Sequence, residues 1–338
     1  LVNVNPVATR IMSKIIKLAL LLIGCLFLGW AISTVDMASV LSLLKKIGWG
    51  FLIIFMIYGL ITWLDALSWK SNFRPDETQH FTNWELWRIR QVGESYNMIT
   101  PFGTLGGEPV KAQLLKEHQG LSIKQGLASQ VISKTTFLTG LILFFIPGIT
   151  MILSSPKISS EFKSISLTGM GIFSTCIFLF FVFQVTGILG KICLWFSHRT
   201  DNEKYIEVLD KLGHLNNLFS SFYRLYPGRV TKAVALAFLG WVLGLGEMYI
   251  TLYFLGFPVS FTELWILEAL AQLVKIGSFL IPLSLGAQEG GLILIFSAFG
   301  YPANLGLTVS LVRRVRELVW VGLGLALGAK MSLSPKRG

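Results

Sequence analysis

Six stretches of this chain, 12–34, 48–70, 122–153, 165–196, 229–256 and 304–330, are dominated by apolar side chains over about 20 residues or more. A helix of that length covers the roughly 30 Å hydrocarbon core of a bilayer at about 1.5 Å per residue. Charged residues make up 14% of the 338-residue chain and hydrophobic ones 53%, too little polar surface to cover a soluble globule of this size. A backbone in lipid must satisfy its own hydrogen bonds, which helices do. The expected class is therefore an all-α integral membrane protein with six spanning helices. The run from Ile15 to Val35, preceded by Arg10 and Lys14, is long enough to span rather than to act only as a leader.

The net charge of +11 follows the same layout. Lys and Arg flank the apolar runs instead of covering a soluble domain, so the expected anionic partner is the lipid surface on the cytoplasmic side and not nucleic acid. Placing both termini in the cytoplasm leaves Lys45, Lys46, Lys157 and Lys163 on the opposite face, and puts most other loop cations, Arg90 and Lys111 among them, inside. Five bases, Lys134, Lys275, Arg313, Arg314 and Arg316, fall within membrane segments. Cys25, Cys176 and Cys193 lie in or beside apolar runs without a pairing pattern, and His80, His118, His198 and His214 are scattered. No metal or cofactor is expected from them.

Between the spans lie two shorter segments, 84–118 and 262–300, each interrupted by a Pro/Gly break. In the first, Pro101 precedes Gly106, Gly107 and Glu108; in the second, Pro282 precedes Gly286, Gln288 and Glu289. Both glutamates stand seven residues after the proline. Neither arm is long enough to cross alone, so each segment is expected to form a re-entrant helical hairpin, tolerated at membrane depth when buried in protein or lining a cavity. A helical apolar pattern over 201–224, including Tyr205, Val208, Leu212, Phe219 and Phe222, suits a helix lying on the membrane surface, and Met37, Val40, Leu41 and Leu44 suggest a shorter counterpart.

The two breaks sit in a longer repeat. Asp65 lies 36 residues before Pro101 and Glu247 lies 35 before Pro282. Lys134 follows Glu108 by 26 residues, while Arg313, Arg314 and Arg316 follow Glu289 by 24, 25 and 27. Residues 1–157 and 158–338 thus read as two repeats of three spans and one hairpin. Three crossings is an odd number, so the second repeat must be inserted upside down, the inverted topology of secondary transporters.

An ionised side chain at the bilayer centre costs at least about 2.5–3.5 kcal/mol, so the charges inside these segments need partners or a use. Arg313 and Glu317 are four apart and can pair on one helix face. Arg314 and Arg316 are left for Glu289, Glu268, Glu247 or a ligand. Helix N-termini after Gly106-Gly107 and Gly286 favour an anion at the breaks, and Glu108 and Glu289 can cap those helices or titrate. The expected substrate-handling residues are Arg313, Arg314, Arg316, Lys134, Lys275, Gly106, Gly107, Glu108, Gly286, Gln288 and Glu289. Asp65, Glu247, Glu268 and Glu94 are the expected proton- or cation-coupling sites. Gly240-x3-Gly244 and Gly324-x3-Gly328 read as close helix contacts.

The segment from Tyr96 through Pro101 to Gly106-Gly107-Glu108, and that from Glu268 through Gln272, Lys275 and Pro282 to Gln288-Glu289-Gly290-Gly291, resemble the flippase-like family named after the transmembrane region of lysylphosphatidylglycerol synthase. Taken with Arg313-Arg314-Val315-Arg316-Glu317-Leu318, the latter segment is most similar to the hopanoid-biosynthesis-associated members. The resemblance covers roughly 12–330. It implies a fold of paired inverted repeats and a part in moving or handling an amphipathic lipid, of the anionic, hopanoid or polyprenyl type, at the bacterial inner membrane. Lipid-biosynthesis enzymes are then expected neighbours. Two other functions fit the class: a membrane enzyme using paired carboxylates as acid and base, and a non-transporting scaffold. Without a Ser/His/Asp set, metal spacing or nucleotide loop, transport is the leading expectation and enzyme activity is not expected.

Overall fold

The computed structural model describes residues 37–78, 81–99, 106–197, 199, 203–278, 281 and 284–332. The expected first span, 12–34, Cys25 and the two break prolines, Pro101 and Pro282, lie outside the described residues. Within them the chain is helical and carries no strand. The helices are α1 (Met37–Ile47), α2 (Gly50–Ser71), α3 (Asn83–Ile99), α4 (Glu108–Gln119), α5 (Ile123–Ser154) and α6 (Ser160–Thr186). They continue as α7 (Ile188–Ser197), α8 (Glu203–Leu225), α9 (Pro227–Leu255), α10 (Phe261–Gly277), α11 (Ala287–Ala298) and α12 (Ala303–Ser332).

Starts and stops follow local chemistry. Ser122 and Ser260 each close a capping box, with Gln125 and Glu263 respectively, at the first turns of α5 and α10. Pro227 opens α9, where its missing N–H costs nothing. The stretch 165–196, expected as one span, is two helices. Gly187 adopts a left-handed φ of 72°, which ends α6 and turns the chain into α7; α7 then packs along α8.

Among the described residues, four helices are long and apolar enough to cross a membrane: α2, α5, α6 and α9. The last expected span, α12, has the length at 30 residues but carries Arg313, Arg314, Arg316 and Glu317 close together. Apolar side chains such as Leu52, Met56, Ile172, Phe178, Leu318 and Leu323 face outward from these helices. On a membrane protein such a surface meets lipid.

α2 and α9 pack along most of their length. Gly50 meets Phe254, Gly246 meets Ile57, the Ser68 hydroxyl donates to the Ala233 carbonyl at 2.9 Å, and Arg229 donates to the Lys70 carbonyl at 2.8 Å. The numbers rise along one helix as they fall along the other, so the two run antiparallel. The long helices of each half also cross over: α12 lies against α3, and α5 against α10. At Gly324 a Cβ would stand 1.9 Å from the Ser95 hydroxyl, so the backbones of α12 and α3 approach as only glycine allows. On α5, Trp265 of α10 stacks on Phe144 at 4.7 Å and donates to its carbonyl at 3.0 Å.

The main apolar core joins α5, α9, α10, α11 and α12 through residues such as Phe145, Met248, Ile266, Phe296 and Val312. The expected counterpart of the surface helix, α1, buries Val40 and Ile47, with Val40 against Ile293 and Leu307. α8 covers α5 and α6 through Phe222 and Tyr223, and the Tyr223 hydroxyl donates to Gln184 at 2.8 Å.

Candidate functional site

Each broken segment comprises two helices, α3 with α4 and α10 with α11, and each is followed by a long helix carrying bases. In the second half, three arginines of α12 reach three different helices. Successive helical residues turn by about 100°, so Arg313, Arg314 and Arg316 fan out. Arg313 pairs with Glu268 of α10, Arg314 with Glu289 of α11 at 2.8 Å, and Arg316 with Glu247 of α9. Glu317, the expected partner of Arg313, instead accepts Lys275 at 3.2 Å and Arg314 at 3.2 Å and lies 3.6 Å from Arg316. Glu268, buried beside Arg313, also takes Gln272 at 2.6 Å.

Glu289 has two roles. Its Oε2 accepts the Gly286 N–H at 2.7 Å, capping α11 as its sequence position suggested, while Oε1 holds Arg314. Gln288, in the same first turn, is buried.

The first half builds a second network. Asp65 of α2 takes Arg90 of α3 at 2.5 Å. Lys111 of α4 donates to Glu94 at 2.6 Å and lies 3.5 Å from Glu108, and Lys134 of α5 lies 3.2 Å from Glu108. Glu108 does not cap α4. That end is closed by Asn97, whose Oδ1 accepts the Gly107 N–H at 2.6 Å. Gly107 presses on α3, where a Cβ would lie 1.9 Å from the Gly93 carbonyl oxygen, and Gly106 precedes it in the turn.

Two members of this network, Arg90 and Lys111, were expected at the cytoplasmic surface. The structure buries Lys111 to 4% exposure and leaves 16% of the Arg90 side chain exposed, because each has a carboxylate within reach of the interior. Spacing carried a signal for both: Arg90 is one turn before Glu94 and Lys111 one turn after Glu108. Tyr58 was also missed. Its ring lies under the Arg316 guanidinium at 4.1 Å.

Among the described residues both networks are balanced. Asp65, Glu94 and Glu108 face Arg90, Lys111 and Lys134; Glu247, Glu268, Glu289 and Glu317 face Lys275, Arg313, Arg314 and Arg316. The most accessible members are Glu94, Lys134 and Lys275, each with 40–43% of its side chain exposed. Both networks also touch one face of α9. A Cβ on Gly240 would stand 3.5 Å from Asp65 Oδ1, and one on Gly244 would stand 3.7 Å from Glu268 Oε1. These two glycines make room for carboxylates, whereas Gly324 and Gly328 serve helix contact as expected. Buried polar atoms remain without partners at Asp65 Oδ1, Glu108 Oε2, Glu247 Oε1 and Arg316 Nε. Among the described residues no group of three or more His, Cys, Asp or Glu is placed to hold a metal ion.

Several members contact more than one opposite charge: Glu317 meets Lys275, Arg314 and Arg316, and Lys111 meets Glu94 and Glu108. The family described as the lysylphosphatidylglycerol synthase transmembrane region matches residues 15–326. A UPF0104 membrane protein of Methanocaldococcus jannaschii is 22% identical over 313 residues, covering 88% of this chain and 89% of that protein. No solved structure matches. With the match spanning both broken segments and both charge networks, the chain belongs to the lysylphosphatidylglycerol synthase transmembrane-region family.

Proposed function

We propose that this chain moves an amphipathic lipid between the leaflets of a membrane by rocking two inverted halves around the paired broken segments. One observation carries the reading: each segment restarts with a glutamate, Glu108 or Glu289, that holds a base from the long helix that follows, Lys134 or Arg314. A headgroup phosphate entering at either break would compete with that glutamate for the base. The antiparallel packing of α2 on α9 and the crossed packing of α12 on α3 and α5 on α10 support the inverted pair.

In this reading Lys134, Lys275, Arg313, Arg314 and Arg316 attract the headgroup, and Glu108, Glu289, Asp65, Glu247, Glu268 and Glu94 take up the displaced charge as proton or cation sites. Because both networks are balanced, an anionic headgroup brings excess negative charge, and uptake of a proton or cation by a released carboxylate restores neutrality. The membrane is read as the bacterial cytoplasmic membrane and the lipid as a product of neighbouring biosynthetic enzymes. The chain itself is read as a carrier and not a catalyst.

The test is transfer of a headgroup-labelled phospholipid in proteoliposomes, followed by quenching with a reductant that cannot cross the bilayer. Lys134→Gln, a half-exposed position, keeps the fold and lowers the rate about tenfold, as loss of a charge-assisted hydrogen bond predicts. Glu289→Gln changes the dependence of rate on pH. Rates equal to wild type in both variants would sink the assignment.

A further inference from the structure

Away from both networks, where α2, α5 and α8 meet, a cavity of about 130 Å³ is lined in part by Asn72, Arg74, Glu77, Gln125 and Phe222. Leu218 of α8 lines both this cavity and a wider one of about 540 Å³ bordered by Lys124 and Ser221. The loop after α2 is held beside the first turn of α5 by the Gln125 amide, which donates to Glu77 at 2.9 Å. Arg74 lines the smaller cavity and Lys124 the wider one, and Leu218 borders both under α8.

Its chemistry differs from that of the networks, where every cation has a carboxylate. Among the described residues neither the Arg74 guanidinium nor the Lys124 ammonium has a hydrogen-bond or ion-pair partner. The carboxylate in the lining, Glu77, is committed: Oε2 accepts the Arg74 backbone N–H at 2.8 Å and Oε1 accepts Gln125. Arg229 of α9 places a third guanidinium on the same end of α2, its Nη2 on the Lys70 carbonyl at 2.8 Å. Glu77 keeps its charge when bonded to neutral donors and also acts on Arg229, so it offsets one of these three cations.

A second observation points to a ligand and not merely to a basic surface. Asn72 is 1% exposed and lines the smaller cavity. Its Nδ2 donates to the Ser68 carbonyl at 3.1 Å and to Thr136 at 2.9 Å, while its Oδ1 is buried without a partner. An unpaired buried acceptor costs free energy that a ligand donor would recover. The occupant therefore carries an anion for the two cations and a hydroxyl or amine for Asn72.

We propose that the crevice beneath α8 binds a phosphate ester bearing a hydroxyl or amine, with the phosphate at Arg74 and Lys124 and the donor group at Asn72 Oδ1. Phosphoglycerol and phosphoethanolamine groups have this chemistry, whether on a lipid or free. Basic pockets between membrane helices are suited to such headgroups, and the apolar flank formed by Leu218 and Phe222 suits acyl chains.

The full-length chain in detergent is titrated with short-chain phosphatidylglycerol, short-chain phosphatidylcholine and free glycerol phosphate. Phosphatidylglycerol is expected to bind more tightly than phosphatidylcholine, which lacks the donor and the net charge. The double variant Arg74→Gln/Lys124→Gln, at two solvent-accessible positions, weakens that binding at least about tenfold, and Lys157→Gln, in the loop after α5, leaves it unchanged. Glycerol phosphate binding that is lost in the same double variant assigns the site to a soluble ester; no glycerol phosphate binding assigns it to lipid. Equal binding of the two lipids, or binding that survives the double variant, overturns the proposal.

Discussion

Arg316 sits over the Tyr58 ring at 4.1 Å while its Nη1 holds the Glu247 carboxylate, so one side chain of α12 ties together α2 and α9. Both ends of the Arg316–Glu247 pair are 5% exposed. A buried pair contributes little against an apolar replacement, because desolvation offsets attraction, but removing one partner strands a charge. Arg316→Gln is expected to destabilise the protein by about 3–5 kcal/mol, and Glu247→Gln/Arg316→Gln to recover much of that loss. Detergent-phase unfolding of the two single variants and the double variant gives the cycle. Additive losses would mean that the two side chains do not act as a pair.

The close approach of α12 to α3 makes a sharper steric prediction. A Cβ at Gly324 meets the Ser95 hydroxyl at 1.9 Å and the Gln91 carbonyl at 2.4 Å, and the latter is backbone that cannot rotate away. At Gly322, two residues earlier, nothing lies within 4 Å. Gly324→Ala should separate the helices and lower the thermal midpoint by several degrees, since about 1 kcal/mol corresponds to roughly 2–4 °C in chains of 150–250 residues. Gly322→Ala should leave the midpoint unchanged or raise it, because alanine is about 1 kcal/mol more favourable than glycine inside a helix. Equal effects at the two sites would count against this packing.

The contrast between those two glycines shows what the sequence conveys and what it withholds. Apolar length located α2, α5 and α9 within a few residues, and the Pro/Gly breaks located the starts of α4 and α11 at Glu108 and Ala287. Those signals are local, set by bilayer thickness and by missing backbone donors. Pairing is not local. Arg313 reached Glu268, 45 residues away, over the nearer Glu317, because tertiary packing decides which carboxylate shares its low-dielectric surroundings. For the same reason Arg90 and Lys111 read as surface cations until α3 and α4 were folded against α2 and α5. The bend at Gly187 was hidden by apolar residues on both sides, which periodicity alone cannot divide.

The bridge between Lys157, in the loop after α5, and Glu263, in the first turn of α10, lies outside the spans and predicts a pH dependence. Burial pushes the Glu263 carboxyl up, but the bonds from Lys157 at 2.5 Å and from Ser260 outweigh it and hold the group below the usual glutamate range. A depressed carboxyl contributes stability above its unfolded value, lost as pH falls through the folded one. The bond to Glu263 raises the Lys157 ammonium, whose contribution is present below the usual lysine range and lost at higher pH. The bridge is thus intact at neutrality. Lys157→Gln should lower the thermal midpoint slightly at pH 7 and by less at acidic pH below about 4. The same deficit at both pH values would show that the ion pair contributes nothing there.

Gly240 tests the place where the first network meets α9. A Cβ there would stand 3.5 Å from Asp65 Oδ1, an ordinary contact, so the backbone leaves room for one methyl group and no more. Gly240→Ala should fold like the wild type and transfer labelled lipid at a rate within about twofold, because it neither displaces the Asp65–Arg90 pair nor adds a charge. Gly240→Leu adds three more carbons where the carboxylate lies. Asp65 must then swing from Arg90, leaving two charges apart in a site where they are 10% and 16% exposed, and the cost of a stranded buried charge is about 3–5 kcal/mol. The expected result is a fall in thermal midpoint for the leucine variant that Asp65→Asn/Arg90→Gln in the same chain largely abolishes, since no charge is then left to strand. A leucine variant as stable as the alanine one would mean that Asp65 does not lie against α9, and the link between the two networks would be lost with it.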